Sequence, residues 1–403
     1  MAVTINKPLF NQILFIFCVV VPFFNIYEFS FSVWIVAILL SLKNNYSVEF
    51  IKYWLLFVAI FAISLIVGLF FNHQIYFVIR DITYLLKPVC GLLLGYQLFN
   101  KNIKNPFQFI IFAGVAIASY HLLLVLFGIL ILGNRTVMDI RATAGYFNDF
   151  EVYALIFLIF HEKLGLNLSI KQNKIFIIIL ALSSFFYLAR TNFIQFIVLF
   201  LALKGFFVWN KKAVIIVSTT IIFTLLAYAA VYYYNPVRNS KGLDEFLYKI
   251  KMVPAEAFST KINREDWKQF NDNYRSYENI RTVQQLSNQD NLWLGEGMGS
   301  KVDLKQKIFL GDMQLRYISI LHNGYMTVLL KSGLFGLFVY LFTIYKFFKK
   351  TETKNLKLVN LNLIFIGTGV FLIISNWVFM GFYNPVDTKS ILIGFLFAYK
   401  NEI

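Results

Sequence analysis

Apolar residues in this chain come in long unbroken blocks, and that arrangement leaves few folds open to it. Twelve such blocks stand at roughly 9–24, 27–42, 51–71, 76–99, 107–132, 149–161, 174–189, 191–209, 212–234, 322–346, 358–379 and 386–399. A helix crosses a hydrocarbon core ~30 Å thick with about 20 residues, at ~1.5 Å of rise each. Backbone in lipid must satisfy its own hydrogen bonds, so a block of that length is a helix. Composition agrees, since 59% of the 403 residues are hydrophobic and the mean hydropathy is +0.66. Soluble domains hold about 45–50% apolar residues and could not bury the excess. The expected fold is therefore all-α: a polytopic membrane protein with about twelve transmembrane helices, ten at the fewest. The first block follows Lys7 and ends in Pro22-Phe23-Phe24-Asn25 without a small-residue cleavage site, which reads as a retained helix and not a signal peptide.

A net charge of +16 raises the question of nucleic acid, and its placement answers no. Lysines gather in alternate short loops: Lys43 and Lys52, Lys101 and Lys104, Lys163 and Lys171, Lys204 and Lys211, then Lys346 to Lys357. The positive-inside rule puts these loops and both termini in the cytoplasm. The loops at Asn72–Ile75 and Gly133–Asn148 then lie outside, with the long stretch 235–321. That stretch carries 11 of the 21 acidic residues and 13 basic ones, so it cannot lie in lipid. The chain divides accordingly into helices over 1–234, a large external loop over 235–321 and a last group of helices over 322–403. Within the loop, Leu243, Phe246, Leu247 and Ile250 repeat at helical spacing, as do Tyr274, Tyr277, Ile280 and Val283. A small ordered helical cap is expected there. Cys18 and Cys90 both sit inside apolar blocks, and the four histidines have no ligand spacing, so neither disulfide nor metal is expected.

The arginines sort differently from the lysines. All nine (Arg80, Arg135, Arg141, Arg190, Arg238, Arg264, Arg275, Arg281 and Arg316) fall on or near the external side. Charge sorting during insertion would put arginine inside as readily as lysine. The planar guanidinium grips phosphate or carboxylate oxygens in pairs, so an anionic ligand is expected on this face. Arg238, Arg264 and Arg281 have a plainer explanation in loop carboxylates such as Asp272 and Glu278. Arg190 does not, because it stands between two apolar blocks with almost no loop around it. Arg80, beside Asp81 and followed seven residues later by Lys87, is likewise intramembrane, where ionisable groups are functional candidates.

His322 opens the tenth block as His322-Asn323-Gly324-Tyr325-Met326, with Gly333 and Gly336 following. The glycines suit close approach of a neighbouring helix. A histidine at that mouth can accept a proton near neutral pH. His121 reads as a packing residue within a helix, and His73 and His161 as solvated turn residues.

These features together resemble the bacterial O-antigen polymerase and O-antigen ligase superfamily. The His322-Asn323 pair after a large loop and the following glycines carry the resemblance. So do Arg275 at the head of a loop helix, the turn Leu294-Gly295-Glu296-Gly297-Met298-Gly299, and the step Ala189-Arg190-Thr191. The run Arg80-Asp81…Leu86-Lys87-Pro88…Gly95-Tyr96 also looks like this group. The resemblance implies a GT-C-like glycosyltransferase of the inner membrane, needing no metal or cofactor, with its large loop periplasmic. Its donor would be an oligosaccharide on undecaprenyl pyrophosphate, and a membrane protein regulating chain length would be a partner. His322 would act as base and Arg190 as the catalytic cation. Arg80, Lys87, Arg141, Arg275, Asn323 and Tyr325 would bind pyrophosphate and glycan, with Trp293 and loop tyrosines as stacking surfaces and Glu256, Glu278 and Glu296 as alternative bases. Polymerase is the favoured activity, since such sequences vary widely. Ligation of finished polymer to lipid A–core is the alternative, and glycolipid transport a third.

Overall fold

The computed structural model describes residues 7–403 apart from 25, 102, 104, 147, 208–210, 238–242, 260–261, 263–269, 271–272, 311–312 and 350–353. Each of the twelve blocks is a helix. The first five are α1 (Lys7–Val20), α2 (Tyr27–Leu40), α3 (Val48–Gly68), α4 (Ile75–Leu98) and α5 (Pro106–Leu130). A short helix α6 (Val137–Ala144) follows, then α7 (Asp149–Ile159), α8 (Ile170–Phe186), α9 (Arg190–Leu203) and α10 (Lys211–Tyr234). The large loop contributes α11 (Leu243–Phe258) and α12 (Tyr274–Asn288), and the chain closes with α13 (Gly324–Tyr345), α14 (Leu356–Phe379) and α15 (Lys389–Lys400). Helix starts carry their own signals. Ser47, Asn105, Thr136, Asn148, Ser169, Asn323 and Asn355 each accept a backbone N–H from the first turn they cap.

The chain is a nearly all-α polytopic membrane protein. Among the described residues, α3, α5, residues Val214–Tyr234 of α10, α13 and α14 are long and apolar enough to cross a membrane by length and composition. The 24 residues of α4 are long enough too, but Arg80, Asp81 and Lys87 interrupt their apolar run. The sixth block differs from a simple span. Helix α7 has only 11 residues, roughly 16 Å of helix, and every residue from Asp149 to Leu158 is buried. It is an inner helix shielded by α5, α8 and α9, not one facing lipid along a full crossing.

The helix ends separate into two sets. At one end Lys43 donates to the Tyr96 carbonyl, Lys163 to that of Leu203, Asn360 to that of Lys163, and Lys400 pairs with Glu49. At the other lie the large loop and the seven described arginines. Arg238, Arg264 and Asp272 lie outside the described residues, as does the side chain of Glu256.

The loop is ordered but not purely helical. Residues Val302–Leu310 and Met313–Ile318 form an antiparallel hairpin, β1 and β2, where only helices were expected. Tyr277 donates to the Leu304 carbonyl at 2.5 Å and Gln285 to that of Lys301, which fastens the hairpin to α12. Phe270, Tyr277, Leu286, Val302, Leu304 and Ile318 share a small core that runs into Leu329 and Leu330 of α13. On the hairpin surface, the paired hydrogen bonds from Arg316 hold the Asp303 carboxyl well below the usual carboxylate range.

The glycine turn plugs this loop into the helices. Gly295, Gly297 and Gly299 all have positive φ, at 74°, 73° and 89°. A Cβ on Gly297 would fall 2.1 Å from the Gly68 nitrogen, so only glycine fits. Met298 donates to the Ser64 carbonyl, and Gly299 donates to Asp81 at 2.7 Å. Asp81 is thus occupied by this turn and by Lys331 of α13 at 2.6 Å, not by its neighbour Arg80. Gly333 corrects a second expectation. It does not receive a helix but breaks one: its φ of 62° interrupts α13, and the Trp293 carbonyl lies 2.2 Å from where its Cβ would stand. Leu334 and Phe335 donate to the Leu292 and Trp293 carbonyls through that break. A Cβ on Gly336 would meet Ser332 of its own helix, so this glycine also serves no helix contact.

Candidate active site

Three arginines from distant parts of the chain meet at the loop end. Arg141 of α6, Arg190 of α9 and Arg275 of α12 line one cavity of about 240 Å³. The local sequence explains each position. Thr136 caps α6 and so sets Arg141 on its second turn. Tyr187-Leu188-Ala189 turns the chain sharply out of α8, so Arg190 is the first residue of α9. Arg275 rides on the first turn of α12, whose other face packs against the hairpin.

The cavity lining combines cations with apolar side chains. The start of α9 lies in that lining, with Ala189 making no side-chain cap, so the positive end of the helix dipole adds to the arginines. Arg141 stacks on Tyr146 and donates to its carbonyl, while its Nε has no partner among the described residues. Burial lowers the pKa of Arg141, and the nearby Arg190 charge adds to that lowering. Arg190 donates to the Lys249 carbonyl of α11 at 3.1 Å. Ile194, Phe371, Ile374 and Val378 of α9 and α14 supply an apolar part of the same lining. An amphiphile with an anionic head matches this mixed lining.

One helix turn along α12 stands the histidine. Glu278, buried to 1% exposure, accepts both the His322 backbone N–H and its Nδ1 at 3.0 Å. The Tyr274 ring meets the imidazole edge-on at 5.8 Å, which fixes its plane. Burial, with the Glu278 charge second, holds the Tyr274 hydroxyl well above its ordinary pKa and so protonated. Nδ1 being engaged by Glu278, Nε2 is the ring nitrogen left for chemistry on a side chain that is 47% exposed. Residues 275 and 279 of α12 face the cavity while 274 and 278 face the histidine, so one helix sets the two groups side by side.

Other expected site residues lie elsewhere. Arg80 stacks on Phe77 with two guanidinium nitrogens unpartnered among the described residues, near the glycine turn and outside the arginine cavity. Lys87 is buried between the Tyr27 and Trp34 rings, and its amine has no hydrogen bond among the described residues. Asn323 caps α13 by accepting from Tyr325 and Met326, and Tyr325 donates to the Ile373 carbonyl. Trp293 lends its backbone to the α13 break and leaves 57% of its surface exposed beside Phe335. Glu296 is tied to Gln285, and burial raises its carboxyl pKa. Two pairings in the structure, Glu278 with His322 and Lys331 with Asp81, are not among the sequence expectations. The i, i+4 spacing of Tyr274 and Glu278 on one helix face was a signal for the first; the second spans 250 residues and had none.

Residues 175–341 match the family model described as O-antigen ligase. The matched segment contains Arg190, Arg275, Glu278, the glycine turn and His322. No curated protein matches the chain, and no solved structure matches it.

Proposed function

We propose that this chain, which carries an O-antigen ligase family domain consistent with the O-antigen polymerase and ligase superfamily, is a glycosyltransferase that draws its glycan from a polyprenyl pyrophosphate. The observation that carries the reading is the cavity that Arg141, Arg190 and Arg275 line together with apolar side chains. A pyrophosphate takes the arginines and the helix start, and the polyprenyl chain follows Ile194, Phe371 and Ile374 toward lipid. The acceptor hydroxyl attacks the anomeric carbon, and the bond to the pyrophosphate oxygen breaks with its electron pair. Fixed cations stabilise the charge that grows on that oxygen. His322 Nε2 takes the hydroxyl proton, and Glu278 stabilises the imidazolium so formed. In this scheme arginine fills the electrostatic role that a metal fills elsewhere. The site faces the periplasm of a bacterial inner membrane, as the lysine-rich opposite end argues.

We assign the acceptor as a new lipid-linked repeat unit, which makes the activity a polymerase and a chain-length regulator a partner. The description of the matched family favours a second reading, transfer of polymer to lipid A–core. The lipopolysaccharide ladder of a deletion strain separates them. Core bearing a single repeat indicates a polymerase; bare core with polymer held on the carrier indicates a ligase. Complementation by Arg190→Ala or Arg275→Ala is expected to leave either defect in place at wild-type protein levels. Full rescue by both variants would remove the arginine cavity from the reaction.

A further inference from the structure

A buried polar network stands directly behind Arg190. Ser183 donates to Glu151 Oε2 at 2.5 Å and Tyr187 donates to Oε1 at 2.7 Å. His121 Nδ1 lies 2.8 Å from the Ser183 oxygen. Because the single Ser183 hydrogen goes to Glu151, Nδ1 is the donor in that contact. The His121 and Tyr187 rings stack at 3.7 Å between centroids and 1° between planes. Phe23 closes the other edge of both rings. Glu151 of α7, His121 of α5, Ser183 of α8 and Tyr187 just after α8 are all fully buried. Ionisable groups at such depth are rare in membrane helices, and a purely structural task could be met by apolar packing.

The network ends at the turn that delivers the arginine. Leu188, next after Tyr187, has a φ of 48°, a left-handed conformation that a leucine takes only when its surroundings impose it. Ala189 returns to extended backbone and Arg190 begins α9. Two constraints flank the turn: Tyr187 is clamped on three sides before it, and Asn192 and Gln195 are buried after it, Gln195 donating to the Asp149 carbonyl. With both flanks fixed, the backbone between them has one path, and the Arg190 side chain starts from one point.

We propose that Tyr187, held by Glu151, is a positioning residue that sets where the Arg190 guanidinium stands in the cavity. The inference rests on the function proposed above and extends it to residues that touch no substrate. The Tyr187 hydroxyl is the working atom: its bond to Glu151 keeps the ring from sliding along His121, and the strained Leu188 turn passes that placement on. Gly145 lies under the same ring, with its Cβ position 3.6 Å from Tyr187 Cε1, so the floor of the clamp belongs to the segment that carries Arg141.

A double-mutant cycle on the full-length protein in lipid nanodiscs tests this, with turnover of a polyprenyl-pyrophosphate oligosaccharide as readout. Tyr187→Phe keeps the ring and removes the hydroxyl; it is expected to lower kcat about tenfold in folded protein, with a modestly lower melting temperature because the buried Glu151 loses one donor. In an Arg190→Lys background the same change is expected to cost under about twofold, because the placement it disturbs no longer matters. Glu151→Gln retains one oxygen to accept from Tyr187 but none for Ser183, and is expected to lose less turnover than Tyr187→Phe; a larger loss would overturn the Tyr187 hydroxyl as the working atom. Should Tyr187→Phe not reach the membrane, Leu188→Gly replaces it in the cycle, since glycine holds that φ without strain yet frees the turn. Equal losses in the two backgrounds, or no loss from Tyr187→Phe, would overturn the positioning role. Wild-type turnover by Arg190→Lys and Arg190→Ala would instead overturn the role of Arg190 itself, and the inference with it.

Discussion

Replacing His322 with alanine is expected to lower glycosyl transfer by about 10²–10⁴-fold, the range of a lost general base, without lowering the amount of protein in the membrane. The reason for intact folding is local. Capping of α13 belongs to Asn323, and the contact of His322 with the loop runs partly through its backbone N–H, which alanine retains. Glu278→Gln is expected to cost less. Its amide oxygen still accepts from Nδ1, but the charge that stabilises an imidazolium is gone. The two variants separate the base from its support: in the His322→Ala background, Glu278→Gln is expected to have no further effect on rate. A steady-state assay on membranes normalised for protein content checks both. Equal, additive losses would make Glu278 a structural residue.

Breaking the ion pair between Lys331 and Asp81 is the second large effect. Lys331→Met leaves a buried carboxylate that still accepts from Gly299 but has lost its cation. Removal of one partner from a buried pair costs about 3–5 kcal/mol. The Ser300 carbonyl loses its donor in the same step. The damage falls on the glycine turn, so the loop should lift from the helices before the helices separate. Limited proteolysis is expected to cut within 292–301 in the variant and not in the wild type. Asp81→Leu combined with Lys331→Met should recover part of the loss, because two apolar groups carry no desolvation penalty, yet not all of it, since the Gly299 N–H stays unpaired. Full protection of Lys331→Met from proteolysis would show that the pair does not hold the loop.

Much of this architecture was legible because the membrane simplifies the code. Blocks of apolar residues, lysines in alternate loops and caps at helix starts are local signals, and each predicted block is a helix. The hairpin was missed although Val302-Asp303-Leu304 alternates and Gly311-Asp312 separates two apolar-alternating runs, a hairpin pattern overshadowed by the helical repeats before it. The site was legible in part for a different reason. Arginine confined to one face suggests an anion site without saying which arginines meet, and Arg141, Arg190 and Arg275 meet only through tertiary packing. Arg80 carries the same intramembrane signal as Arg190, yet it stands with the glycine turn, because Asp81 beside it is claimed by a residue 250 positions away. The small size of Gly333 suits close helix approach in the sequence, whereas its dihedral freedom is what the fold uses.

The most direct test of the account reconstitutes the purified protein with a polyprenyl-pyrophosphate oligosaccharide in nanodiscs containing EDTA and follows release of free polyprenyl pyrophosphate. Release accompanied by a longer glycan on the acceptor, undiminished by EDTA and abolished in Arg190→Ala and His322→Ala, is expected. A donor that stays intact on the wild-type protein, or release that both variants sustain at the wild-type rate, would contradict it.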